Sequence, residues 1–222
     1  MHEALRISNE QKAKTAIENL QKNRMEAFYV GKTADVCSKV KELIREGDSV
    51  AAGGSMTLDE TGVTTMLRSG DYRFIDRNVP GLDPEAVRRI YLDSFDADVY
   101  MTSSNAVTLK GELFNVDGTS NRIAALCFGP RSVIVIVGIN KIVPDIRSAV
   151  RRVKQTAAPA NCVRLDKKTY CAATGYCQGI DSDDITAGCS GPDRICCSYL
   201  ISAMQQERGR IKVIIVGEDL GF

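Results

Sequence analysis

Ser132-Val133-Ile134-Val135-Ile136-Val137 places five β-branched residues in a row behind a single serine. A strand with one wet face alternates apolar and polar side chains. A run without alternation marks a central strand covered on both faces. Ile211 to Val216 repeats the pattern. Between and before these runs, strand-like and helix-like segments alternate. Ala13, Ala16, Ile17 and Leu20 are spaced as one helix face, within an N-terminal helix of about residues 3–25, and Ala27 to Val30 follows as a strand. Thr33 starts a helix with Val36, Val40, Leu43 and Ile44 inward, and Gly47 ends it. Ser49 to Ala52 runs as a strand into Gly53-Gly54 and a helix from about Thr57 to Leu67. Tyr72 to Ile75 reads as strand, and Asp83-Pro84 opens a helix that turns Val87, Ile90 and Tyr91 inward. A helix from about Pro144 to Ala157 follows the central run. Such alternation predicts an α/β fold, three layers α/β/α around a largely parallel sheet. Asp98 to Ser103, Ala106 to Leu109 and Glu112 to Val116, turning at Lys110-Gly111, add a hairpin that makes the sheet mixed.

The 222 residues fit a single domain over 1–222, with 44% hydrophobic and 26% charged residues. No repeat or low-complexity tract interrupts it. Val133 to Ile139, the longest apolar run, is far short of the roughly 20 residues a membrane span requires, and the N-terminus has no apolar signal core. A cytoplasmic location without membrane insertion is expected. Lys plus Arg total 29 against 28 Asp plus Glu, so no global field recruits nucleic acid. Arg147, Arg151, Arg152 and Lys154 form a basic helical stripe, read as a solvated face. The single histidine, His2, lies in a terminus expected to fray, which leaves no Ser-His-Asp or Cys-His arrangement away from it.

Two segments carry polar groups in numbers that a fold alone does not need. Gly53-Gly54-Ser55-Met56-Thr57-Leu58-Asp59-Glu60 joins a strand to a helix, where glycines let backbone amides approach an anion and Ser55 and Thr57 add hydroxyls. A tight turn with a serine or threonine cap explains the same residues. Thr102 to Arg122 threads Asn115, Asp117, Asn121 and Arg122 between apolar positions, groups suited to hydroxyls, carboxylates or phosphates. Asp117-Gly118 by itself is a common turn pair. Five of eight cysteines, Cys171, Cys177, Cys189, Cys196 and Cys197, crowd a Gly-, Asp- and Ser-rich insertion at about 169–197. Cys37, Cys127 and Cys162 stand apart, Cys37 and Cys127 in helical or core-like surroundings that suit ordinary buried thiols. Cys171, Cys177, Cys189 and Cys196 are the candidate four-thiolate metal set, for zinc or an iron-sulfur cluster, with Cys197 turned away on a helix. Free thiols and a redox-active disulfide are the alternatives, and the spacing, five, eleven and six residues, decides among none of them.

The blocks GGSMTLDETG, SSNAVTLKGELFNVDGTSNRIAA, GPRSVIVIVGINKIV and RIKVIIVGEDLGF resemble signature segments of the lactate-utilization (LUD, LutC-like) family, in matching order. That resemblance implies a fold similar to the ribose phosphate isomerase, glucosamine phosphate deaminase and coenzyme A transferase group. Gly53, Gly54, Ser55, Met56 and Thr57 would then form the phosphate or cofactor loop, with Glu60, Asn105, Asp117, Asn121, Arg122 and Lys141 lining the same cleft. It also implies a role in oxidising L-lactate to pyruvate beside iron-sulfur partner proteins, with a small anionic ligand bound. Two other functions remain open: an isomerase or acyl/CoA-transferase-type enzyme using Glu60 or Asp117 as base or nucleophile, and a metal-stabilised binding or sensing module without turnover. A homodimer is expected only from how often such domains pair.

Overall fold

The structure, a computed structural model, describes residues 2–222. Its larger sheet contains β1 (Glu26–Val30), β2 (Ser49–Ala52), β3 (Arg73–Ile75), β4 (Val99–Thr102), β7 (Ser132–Gly138) and β10 (Ile211–Val216), in the order β1-β10-β7-β4-β2-β3. Every pair in it is parallel. β7 and β10 lie side by side in its interior, Val133 opposite Ile211 and Gly138 opposite Val216. Their unbroken apolar runs follow from that position. Val133, Val135 and Val137 face a core completed by Ala13, Ala16 and Leu20 of α1 (Glu3–Lys22), while Ile134 and Ile136 face the opposite core. That second core is built by α2 (Val36–Leu43), α3 (Met56–Glu60) and α4 (Val63–Arg68). His2 caps α1, its Nδ1 accepting from the Ala4 amide at 3.2 Å.

The α/β class holds, and the mixed pairing lies in a sheet of its own. β5 (Ala106–Thr108), β6 (Leu113–Asp117), β8 (Ile142–Val143) and β9 (Ser198–Ser202) form it in the order β8-β5-β6-β9. The hairpin β5–β6 is antiparallel, as is β6–β9, whereas β5–β8 is parallel. All five residues of β6 are buried. Leu113 joins the core beneath α1, and Phe114 points the other way, to Ala149, Val150 and Val153. The hairpin, clothed on both faces in this way, forms the middle of a second layered unit beside the parallel sheet.

The predicted helix after β7 is longer and less regular than expected. α7 (Ile146–Arg152) passes through a π-helical turn, Val153–Ala157, into α8 (Ala158–Arg164). Pro159 lacks an N–H and its ring crowds the carbonyl four residues back, which widens the helix there. The helix predicted from Thr57 to Leu67 breaks at Gly62, whose φ is +73°, into α3 and α4. Asp83 caps α5 (Pro84–Asp93), but Val87, Ile90 and Tyr91 are only half-buried. No helix is long and apolar enough to cross a membrane among the described residues.

Candidate functional site

The parallel strands point their carboxyl ends at one edge, where open α/β sheets bind ligands. β2 delivers Gly53 to Thr57 there, β4 delivers Ser103 to Asn105, and β7 delivers Lys141 through a short 3-10 turn. The second sheet adds Asp117 at the end of β6 and then α6 (Asn121–Cys127). A cleft of 280 Å³ lies among them, lined by Gly54, Ser55, Met56, Thr57, Asn105, Asp117, Asn121, Arg122 and Lys141. Nine candidate ligand residues therefore share one cavity. Gly53 lies beneath it: a Cβ there would sit 2.9 Å from the Tyr100 hydroxyl and 3.2 Å from Arg122 Cδ, so the close turn needs glycine. Glu60 does not line the cleft. It is exposed, and its Oε2 accepts from the Gly221 amide at 2.7 Å.

Lys141 is the chemical centre of the cleft. It is 3% exposed, and Nζ donates to Thr57 Oγ1 at 2.8 Å and Ser103 Oγ at 3.0 Å. Burial, reinforced by the charge of Arg152, pulls its pKa down to about 7. An ammonium carries three donors, and this one has no carboxylate partner at bonding distance. Ser55 heads α3 without capping it through its side chain, which leaves its hydroxyl on the cleft wall. α3 is a turn and a half, so Lys141 rather than a helix dipole sets the local charge.

Arg122 and Asp117 are bound to each other instead. Asp117 Oδ1 accepts from Arg122 Nε at 2.9 Å and Nη2 at 2.6 Å, and Oδ2 accepts from the Ile123 amide at 2.9 Å. The other guanidinium N–H groups reach Ser103 O, Asn115 Oδ1, Asn105 Oδ1 and Val116 O at 2.5–3.1 Å. Five donors meet at least five acceptors, so Arg122 knits the hairpin to β4 and has little left for a ligand. Asn105 Oδ1 also accepts from Val116 N at 2.8 Å. Arg77 is a cation with donors to spare on the cleft wall, which Arg164 and Lys167 also line, and the sequence pattern pointed to none of the three. It lines the cleft beside Gly54, packs over the Tyr91 ring, and donates through Nη1 to the Tyr91 hydroxyl at 3.3 Å. Its one signal is its position just after the short edge strand β3, at the same carboxyl edge.

The basic stripe is a solvated face only at Arg147 and Arg151, which are exposed, while Arg152 and Lys154 turn inward. Lys154, in the π-helical turn, is 5% exposed and donates to Gly179 O at 2.9 Å and Asp184 O at 3.0 Å. Arg152 donates to Asn140 O and Asn105 O, and burial draws its pKa down to about 10. Around the cysteine insertion, Arg194 donates to the carbonyls of Cys189, Cys196 and Thr186. Two cations thus order a segment that lacks apolar content. Cys196 and Cys197 precede β9 in extended chain rather than on a helix, which turns Cys197 outward to solvent. Cys127 is exposed, not buried, and Cys162 is buried beside Cys171 rather than apart from the cluster. Among the described residues, no three His, Cys, Asp or Glu side chains stand in ready metal-ligand geometry.

The family model described as the LUD domain matches residues 13–216, nearly the whole of both sheets and the cleft. The chain belongs to the LUD domain family. At the level of the family, this LUD domain is tied to lactate utilization. No curated protein gives a match. Among solved structures, it is similar to a DUF162 family protein from Deinococcus radiodurans, 16% identical, with a TM-score of 0.49 over 95% of this chain and 98% of that one.

Proposed function

We propose that the cleft binds a small carboxylate or phosphate-bearing metabolite, of the lactate and pyruvate class, within the oxidation of L-lactate to pyruvate. One observation carries the reading: a buried lysine amine lines the cleft with no carboxylate at bonding distance among the described residues, its bonds spent only on the neutral hydroxyls of Thr57 and Ser103. The Glu60 charge acts on it from further off. A buried ammonium without an anion is costly, and an anionic ligand relieves that cost. Arg77 supplies a second positive group on the wall, and Ser55 and Asn105 Nδ2 supply neutral donors. At 280 Å³ the cavity falls below the roughly 300–1,000 Å³ of drug-sized sites, which suits a small metabolite. Because the Lys141 pKa is about 7, the amine is available both as a charged anchor and as a proton acceptor near neutrality. Asp117 serves this reading as the residue that holds Arg122, and Glu60 as one that ties down Gly221.

Isothermal titration with L-lactate, pyruvate and inorganic phosphate tests it. At least one should bind the wild-type chain, and Lys141→Met should weaken that binding about 10- to 100-fold, the worth of one charged hydrogen bond. Arg77→Ala should weaken it as well. A folded wild-type chain that binds none of the three, or a Lys141→Met chain that binds as tightly as wild type, overturns the reading.

A further inference from the structure

Away from the cleft, Cys162, Cys171, Cys177, Cys189 and Cys196 all line a second cavity, of only 20 Å³. They come from α8, α9 (Tyr170–Thr174), the insertion and the approach to β9, so four separate pieces of chain bring cysteines to the wall of one cavity. We propose that this cavity is a thiolate site for a single soft divalent cation, zinc-like in chemistry, with Cys162 among its ligands.

Three observations support a single ion. The Sγ atoms of Cys162 and Cys171 are 3.7 Å apart. A tetrahedral site with metal–sulfur bonds of about 2.3 Å has sulfur–sulfur edges of about 3.8 Å, so one edge already has the right length. The volume is that of one small particle, since a water requires roughly 10–15 Å³ of such space, and a four-iron cluster is far larger. A water there would need two to four polar partners, whereas this wall is mostly sulfur and carbon.

Charge supports it too. Four thiolates around a divalent ion carry a net charge of about −2, which must be offset where water is scarce. Lys154 and Arg194 line this same cavity while their hydrogen bonds go to backbone carbonyls. Two fixed positive charges thus stand against the expected two negative ones. Cys177 Sγ accepts from the Gly179 amide at 3.4 Å, the kind of outer contact that orients a thiolate ligand. Among the described residues the sulfurs do not yet stand as a ready set, so the proposal requires the others to rotate toward the Cys162–Cys171 edge when the ion binds. With five thiols for four positions, one stays outside, and Cys162 and Cys171, which already share an edge, are both inside.

The full chain, purified without oxygen from zinc-supplemented cells, should contain about one zinc per chain and no labile sulfide. Cobalt loading should give intense thiolate-to-metal absorption. Cys162→Ser and Cys171→Ser should each lose that band while circular dichroism shows a folded protein, and Cys197→Ser and Cys127→Ser, both exposed positions, should keep it. Four results overturn the proposal: a folded wild-type chain that takes up neither zinc nor cobalt, iron with labile sulfide, a Cys162–Cys171 disulfide in the anaerobic protein, or an undiminished cobalt band in Cys162→Ser. Should a serine variant fail to fold, native thiol labelling of the wild type decides instead: zinc should protect four thiols, and protection of none counts against the site.

Discussion

Lys141 and Lys154 lie thirteen positions apart in one chain and are almost equally buried, at 3% and 5% exposed, yet they are held by opposite kinds of partner. Lys154 donates to two backbone carbonyls, which only accept, so its amine can serve there only as a donor. Lys141 donates to two hydroxyls, which donate as readily as they accept, so the amine can lose its proton without stranding a neighbour. Burial alone therefore does not separate a structural cation from a functional one. The partner's chemistry does, and the two lysines can be set against each other experimentally.

The largest effect expected is at the clamp. Lys154→Met removes two charge-assisted hydrogen bonds and leaves the carbonyls of Gly179 and Asp184 unpaired, a loss of about 3–5 kcal/mol. Urea unfolding measures it, and limited proteolysis should show cleavage between residues 178 and 190 first. A loss below about 1 kcal/mol would remove the distinction between the lysines.

Next comes the opposite sign at Lys141. In the folded chain its amine titrates at about 7 rather than 10.5, so between those values the unfolded chain binds the extra proton and stability rises with pH. Below about 7 the cost of burying the charge is fully present, at most about 5 kcal/mol. Orphaned Thr57 and Ser103 hydroxyls return about 2 kcal/mol of that. Lys141→Met should thus be more stable than wild type by about 2–3 kcal/mol at pH values below 7, and the advantage should shrink as pH approaches 10.5. Unfolding curves across that range check both sign and slope. An advantage that grows with pH would mean the amine is not buried as a charge.

What could be read without the structure follows the same division. β7 and β10 declared themselves because a strand covered on both faces writes its environment into every residue. The glycine turn with Ser55 and Thr57, and Asp117, were legible from the residues themselves, whereas Asn105 and Lys141 entered only through the family resemblance. Their partners were not. Lys154 reads as one member of a surface stripe because its burial is caused by carbonyls 25 and 30 residues further on. Arg122 reads as a ligand fork until Asn105, Asn115 and Asp117 are seen to occupy it. β9 was missed because its residues are mostly half-buried, with no alternation to find, and Arg77 because a lone arginine after a three-residue strand carries no pattern.

The smallest effect sharpens the contrast most, because it leaves both lysines in place. Gly221 has φ +53° and packs on the cleft floor, where an added Cβ would lie 2.8 Å from Thr57 Oγ1 and 3.3 Å from Lys141 Nζ. Its amide is held by Glu60, and Asn140 bonds to the neighbouring Leu220 amide at 3.1 Å, so the segment is fixed over the lysine from two sides. Gly221→Ala meets both the left-handed backbone and the close contact, a cost of about 1–2 kcal/mol. The chain can relieve that strain by lifting the segment, which lets water reach Lys141. A wetter ammonium is a more basic one, so the midpoint for amine labelling at Lys141 should move upward from about 7, while Lys154 keeps its burial and its protection from the reagent. Peptide-resolved labelling across pH reads the two amines in one sample. If Lys154 loses its protection as well, the substitution has loosened the whole fold. If neither amine changes, the segment over the cleft is not what keeps Lys141 dry.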